Sequence, residues 1–195
     1  MYPKRNNELE VMSLFRCNYK AKLYLREISR RSGLPLKTCQ KTLSHLEKAK
    51  VLKAHIEGRN KYFSLNLENI KTKSYLQQAE IYQTDRFVEK YPQFKIFLKE
   101  LRTTVPIIVF GSFAKFTADK NSDLDLLIIS NREIVLPFHL LPFKPHQITM
   151  TEKTFIKALE KHEELIKEIE SNHIILNNHS FYISVMWEYY GKFKD

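Results

Sequence analysis

Residues 105–130, VPIIVFGSFAKFTADKNSDLDLLIIS, hold two apolar runs separated by a polar connection. Each run is as long as a buried strand and too short for a core helix, so the segment predicts two buried strands. Gly111 and Ser112 end the first, over 105–110, and a short helix starts near Phe113. The second strand offers Leu124, Leu126 and Leu127 to the core, yet it also carries Asp123 and Asp125. Side chains two residues apart on a strand share a face, so these carboxylates point the same way and repel each other. A divalent cation removes the conflict, because Mg2+ (or Mn2+) is held by one or two carboxylates together with substrate phosphates. The Gly111–Ser112 turn supplies the complementary half. Glycine lets the backbone approach a phosphate closely, and backbone N–H groups with the Ser112 hydroxyl can cradle it. Lys115 or Lys120 would add positive charge, the ordinary alternative being a solvated lysine.

The chain has 195 residues, of which 43% are hydrophobic, enough for one large domain or two small ones with buried cores. No apolar run approaches the ~20 residues that cross a bilayer, and the first residues, MYPKRNNELEVM, lack the apolar stretch of a signal peptide. A soluble cytoplasmic protein without membrane association is therefore expected. Cys17 and Cys39 are the only cysteines; both fall at apolar-periodic positions of predicted helices and read as core thiols rather than a disulfide. Charge is distributed unevenly. Residues 1–67 hold 15 Lys and Arg against 5 Asp and Glu, whereas residues 68–195 hold 17 of each. The whole excess of +10 thus lies in the first third, which points to two modules, the basic one facing a polyanion.

Within residues 1–67, Leu9, Val11, Met12 and Phe15 recur at helical spacing, and AKLYL is a short strand candidate. Ile28 and Leu34 bracket a helix stopped by Gly33, and Pro35 opens a second helix in which Cys39, Leu43 and Leu46 face the core. Residues 51–56 and 61–67 alternate around EGRN, a hairpin turn with Gly58. Two helices joined by a tight glycine turn and followed by a basic hairpin make a helix-turn-helix with a wing. Nearly all of residues 5–67 resembles the winged helix-turn-helix DNA-binding family. That resemblance implies double-stranded DNA as partner. Lys37, Thr38, Gln40, Lys41, Ser44 and His45 on the second helix would reach base edges or phosphates, and Arg59 and Lys61 on the wing would neutralise flanking phosphates. The alternative is a winged helix used for protein contacts.

Residues 68–91 read as a long linking helix, with Ile70, Tyr75, Leu76, Ala79, Tyr82 and Phe87 roughly periodic. It either forms a homodimer surface, as DNA half-sites favour, or packs on the next domain. Residues 92–195 form the second module, opening with a short amphipathic helix in QFKIFLKELRTT. Its GSFAKFTADKNSDLD stretch is similar to the Gly-Ser…Asp-x-Asp signature of the DNA polymerase beta superfamily, in particular the minimal nucleotidyltransferase branch, a resemblance that covers roughly 95–170. It implies transfer of a nucleoside monophosphate from a nucleoside triphosphate. Asp123 and Asp125 would be the catalytic metal ligands, and Gly111, Ser112 and Lys115 would hold the nucleotide. Relatives of this kind act as antitoxins or antibiotic-modifying enzymes, so a protein or small-molecule acceptor is implied.

Two departures stand out. Such relatives carry a third carboxylate on a later strand, which binds the catalytic metal and activates the acceptor. Here that strand is PHQITM, residues 145–150, without Asp or Glu, and Gln147 or Thr149 would take the position. Glu152 follows as a first-turn helix residue behind Thr151. Phe116 stands where relatives usually have glycine, and would narrow the site. The tail holds one amphipathic helix, TFIKALEKHEELIKEIESN, and an aromatic-rich end. His139, His146, His173 and His179 lack metal-ligand spacing and read as structural, and His162 as exposed.

The expected fold class is α+β: an N-terminal winged helix, mostly α with a β-hairpin, and a C-terminal nucleotidyltransferase-like α/β domain with a small mixed sheet. Two functions compete. The protein is a DNA-binding nucleotidyltransferase, antitoxin-like in character, or a transcriptional regulator whose second domain is inactive and senses nucleotide or mediates assembly.

Overall fold

The computed structural model describes residues 5–192; residues 1–4 and 193–195, which the expected outer domains include, lie outside the described residues. The chain divides into two compact units. One comprises the residues up to Glu80 and those from Ile183 onward, and the other Ile81–Tyr182.

In the first unit, α1 (Asn7–Met12) starts at Asn6, whose side chain accepts from the N–H groups of Glu8 and Leu9. After β1 (Leu23–Tyr24), α2 (Leu25–Ser32) ends at Gly33 with φ +66°, the left-handed conformation that glycine adopts at least cost. α3 (Leu36–Lys48) follows Pro35 and buries Cys39, Leu43 and Leu46. Its end is a Schellman motif closed without glycine. Lys50 takes φ +56°, its N–H bonds to Glu47 O, and Val51 N–H bonds to Leu46 O. The hairpin β2 (Leu52–Glu57) and β3 (Asn60–Leu65) turns through Gly58 and Arg59, and the antiparallel sheet runs β1-β3-β2.

α4 (Ile70–Lys90) supplies Leu76, Ala79 and Glu80 to the core of this unit, while Ile70, part of the expected apolar periodicity, stands exposed at the first residue of the helix. Glu80 is fully buried and pairs with Arg16 at 2.9 Å. Tyr19 stacks on Tyr190, and burial, reinforced by the Glu80 charge, pushes its phenol well above its ordinary pKa. Cys39 is buried on α3, its thiol pushed up by burial. Cys17 lies in a turn and not on a helix, because α1 already ends at Met12. Both cysteines are free thiols.

The second unit is built on the mixed sheet β6-β5-β4-β7. α5 (Phe94–Glu100) leads to β4 (Ile107–Val109), α6 (Gly111–Ala114) and β5 (Leu124–Ile129). A 3-10 turn at Phe138–Leu140 precedes β6 (Pro145–Met150). Next come α7 (Glu152–Glu160), α8 (Glu164–Ser171), β7 (Ile174–Asn177) and the start of α9 (His179–Gly191). β4 pairs antiparallel with β5 and β7, and β6 lies parallel to β5. One face of β5, Leu124, Leu126 and Ile128, is covered by an aromatic cluster that includes Phe87, Phe94, Phe97 and Phe113.

The single amphipathic helix expected over 153–172 is two helices. The break is another Schellman turn: His162 adopts φ +52°, its N–H reaches Leu159 O, and Glu163 N–H reaches Ala158 O. No glycine marks the break, so apolar periodicity runs straight across it. Among the described residues, no helix is long and apolar enough to cross a membrane.

Glu80→Ala removes the counter-charge that stands 2.9 Å from the buried Arg16 guanidinium. Glu80→Ala is expected to lower unfolding free energy by about 3–5 kcal/mol, read as a shift of the urea midpoint. A change below about 1 kcal/mol would mean that the pair is solvated in solution.

Candidate functional site

The chain leaves the buried strand β4 through Phe110, extended at φ −134°, and turns at Gly111 with φ +67°. Glycine is required here twice over. The backbone is left-handed, and a Cβ would fall 2.3 Å from Asp125 Oδ2 and 3.2 Å from its Cγ. The carboxylate of Asp125 thus packs directly on the Gly111 backbone, locked there because Phe110 N–H bonds to Asp125 O across the two antiparallel strands.

Behind Gly111, Ser112 O accepts from the N–H groups of Thr117 and Ala118, which folds the following loop back on itself. Phe116 sits in that loop at φ +59°, a conformation that glycine takes freely and a bulky residue does not. Its ring packs against Phe87 and Tyr91, and Lys90 Nζ donates to its carbonyl. The ring therefore extends the aromatic core, which corrects the expectation that it narrows the site: its packing offsets the backbone strain. Lys115, expected at the nucleotide, pairs with Glu168 at 3.1 Å, both side chains exposed.

The chain then reaches the two aspartates through a turn. Asn121 N–H and the Ser122 hydroxyl both donate to Asp119 Oδ1. β5 begins at Leu124, so Asp123 is an exposed residue just ahead of the strand and not within it. Asp123 carries no hydrogen bond or ion pair among the described residues, and neither does the Ser112 hydroxyl. Asp125 is on the strand and half-buried, with His146 Nδ1 3.0 Å from its Oδ1.

That histidine is the residue that sequence reasoning missed. The parallel register pairs Asp125 with His146, Leu126 with Gln147, and Ile128 with Thr149. Gln147 and Thr149 therefore belong to the opposite face, where Gln147 Nε2 donates to Thr149 Oγ1 at 3.1 Å. Neither takes the position beside Asp125. His146 lies 21 residues from Asp125, and only the strand register brings them together. The other histidines are structural or remote. His173 is buried with Nδ1 donating to Ile169 O, and His179 meets Thr84 Oγ1 at 3.0 Å. Glu152 opens α7, whose cap is Thr151 accepting from Thr154 N–H.

Among the described residues, no three His, Cys, Asp or Glu side chains gather into a metal-holding group. The donors present still fit a cation shared with substrate phosphates: a carboxylate positioned by Gly111 and a second, uncommitted one at Asp123. An open depression of about 720 Å³ lies at the other end of β5, lined by Arg102, Arg132 and His139, away from this chemistry.

Residues 92–182 match the model of the nucleotidyltransferase domain family. No curated protein and no solved structure matches the chain. The Gly111–Asp125 contact lies inside the residues that this family model matches.

The basic residues of the first unit separate into two groups. Lys37, Lys41, Ser44 and Lys48 recur on α3 at i, i+4, i+7 and i+11, with Gln40 alongside, all exposed and opposite the buried Cys39, Leu43 and Leu46. Lys37, Lys41, Lys48 and Arg59 carry no ion pair among the described residues. Three of the expected contacts are placed otherwise. His45 Nδ1 stands 2.6 Å from Glu8 Oε1, and the same carboxylate accepts from Tyr75 Oη. Lys61 pairs with Glu47 at 2.7 Å, and Thr38 is half-buried on the helix flank.

Gly58 provides an internal control for Gly111. Both have positive φ, but a Cβ on Gly58 meets nothing within 4 Å. Gly58→Ala is expected to cost about 1 kcal/mol of left-handed strain, and Gly111→Ala clearly more, measured by chemical denaturation. Equal losses would show that Asp125 moves aside freely.

Proposed function

We propose that the chain is a DNA-binding protein whose nucleotidyltransferase domain binds a nucleoside triphosphate with Mg2+ and transfers its nucleoside monophosphate to a protein or small-molecule acceptor, in an antitoxin-like role. The observation that carries this reading is the Asp125 carboxylate seated on Gly111 within the matched domain. Gly111 brings the backbone close to where phosphates would lie, and the Ser112 hydroxyl is free to donate to them. Asp123 and Asp125 would hold the cation, which would offset the charge of the triphosphate during in-line displacement. The acceptor oxygen bonds to the α-phosphorus, the α–β anhydride bond breaks, pyrophosphate departs, and the hydroxyl proton passes to solvent.

A second reading has its own support. β6 brings an imidazole and no third carboxylate to Asp125, and among the described residues no three acidic or His/Cys side chains gather there to hold a metal. On that reading the domain senses nucleotide or mediates assembly without turnover. Incubation with labelled ATP, CTP, GTP and UTP plus Mg2+ separates the two. Transfer lost in Asp125→Asn supports the enzyme; metal-dependent nucleotide binding without any labelled product supports the sensor.

The first unit, on this proposal, is a winged helix in which α3 enters the major groove of double-stranded DNA and the hairpin acts as wing. The unpaired stripe of Lys37, Lys41 and Lys48, with Ser44 and Gln40, supports that use, and Arg59 at the hairpin turn reaches a flanking phosphate. A homodimer through α4 would match two half-sites. DNA affinity is expected to fall steeply with salt, and Lys41→Ala and Arg59→Ala each to reduce the log–log salt slope by about 1. Salt-independent binding would remove DNA as the partner.

A further inference from the structure

We infer that His146 is a ligand of the cation at the nucleotide site, and that the site therefore favours a transition-metal dication such as Mn2+ over Mg2+. The inference rests on the nucleotide-binding reading above and concerns the same site. Its ground is the register of two parallel strands. β6 sets His146 beside Asp125, with Nδ1 and Oδ1 separated by 3.0 Å. Two ligands at right angles on one ion, with bonds of about 2.1 Å, stand about 3.0 Å apart. The separation that serves a hydrogen bond without the ion is thus also the separation two neighbouring ligands need with it.

Access favours the same conclusion. β6 is the edge strand of the sheet, and the His146 side chain is 65% exposed against 27% for Asp125. The pair can be reached from solvent without unpacking the core. Asp125 cannot retreat, since its other oxygen rests on Gly111. Asp123, two residues earlier, is exposed and has no partner among the described residues.

Donor chemistry then sets the preference. Two carboxylates and substrate phosphates would be an all-oxygen set suited to Mg2+. An imidazole nitrogen in that set shifts affinity toward softer first-row ions, because Mg2+ is the hard cation that benefits least from it.

The full chain with Mn2+ and a non-hydrolysable triphosphate tests this by pulsed electron paramagnetic resonance and by competition with Mg2+. The wild type is expected to show a directly bound 14N nucleus and to hold Mn2+ about tenfold or more above Mg2+. His146→Ala should lose the nitrogen signal and about tenfold or more of Mn2+ affinity. His146→Asp should narrow the gap between the two ions. Circular dichroism on both variants checks that the exposed edge strand still forms. Mn2+ binding that depends on Asp125, yet shows no nitrogen coupling and ignores His146→Ala, would overturn the inference while leaving the nucleotide site intact. Absence of any metal-dependent nucleotide binding by the wild type would overturn the underlying reading, and this inference with it.

Discussion

The contact between the Asp125 carboxylate and the Gly111 backbone joins the two halves of the candidate site. It needs three things at once: a residue without Cβ, a left-handed φ, and antiparallel pairing of β4 with β5 that brings positions 111 and 125 together. A carboxylate pressed against backbone keeps one orientation, so the acid is already aimed before any ligand arrives. Preorganisation of this kind is what makes charged groups effective toward phosphates, because no reorganisation remains to be done on binding. The loop behind it, gathered on Ser112 O, holds Phe116 in a strained conformation that its packing on Phe87 and Tyr91 offsets.

Charge is handled differently in the two units. In the first, a fully buried Glu80 is matched by Arg16, and Glu8 takes up both His45 and Tyr75, so several polar groups near α1 are spent on structure. Lys37, Lys41 and Lys48, along one face of α3, are among the cations left without an ion pair among the described residues. In the second unit Asp123 and the Ser112 hydroxyl, near in sequence to Asp125 and Gly111, have no partner among the described residues. Groups that the fold leaves without partners are the ones able to meet a ligand at no cost in lost contacts.

Much of this is legible in the order of the amino acids. The glycine and aspartate pattern marks the site because Gly111 and Asp125 each carry their own local signal, a strand end and an acid on an apolar strand. The amphipathic spacing of α3 separates Cys39, Leu43 and Leu46 from the lysines, since helical periodicity sorts residues by face without reference to anything else. The helix break at His162 is not legible, because a Schellman turn closed by a non-glycine residue leaves no compositional trace. Nor are the engagements of His45 with Glu8 and of Lys61 with Glu47, which depend on side chains from other elements.

The sequence by itself determined which residues are acid, base or glycine, which faces are apolar, and that the net positive charge lies in the first third. Only the tertiary structure decided that His146, and neither Gln147 nor Thr149, stands beside Asp125, and that residues from Ile183 onward belong with the first unit. The physical reason is register. Periodicity within a strand says which residues share a face, but a shift of one residue between neighbouring strands exchanges the faces, and that choice is made by packing across the whole sheet.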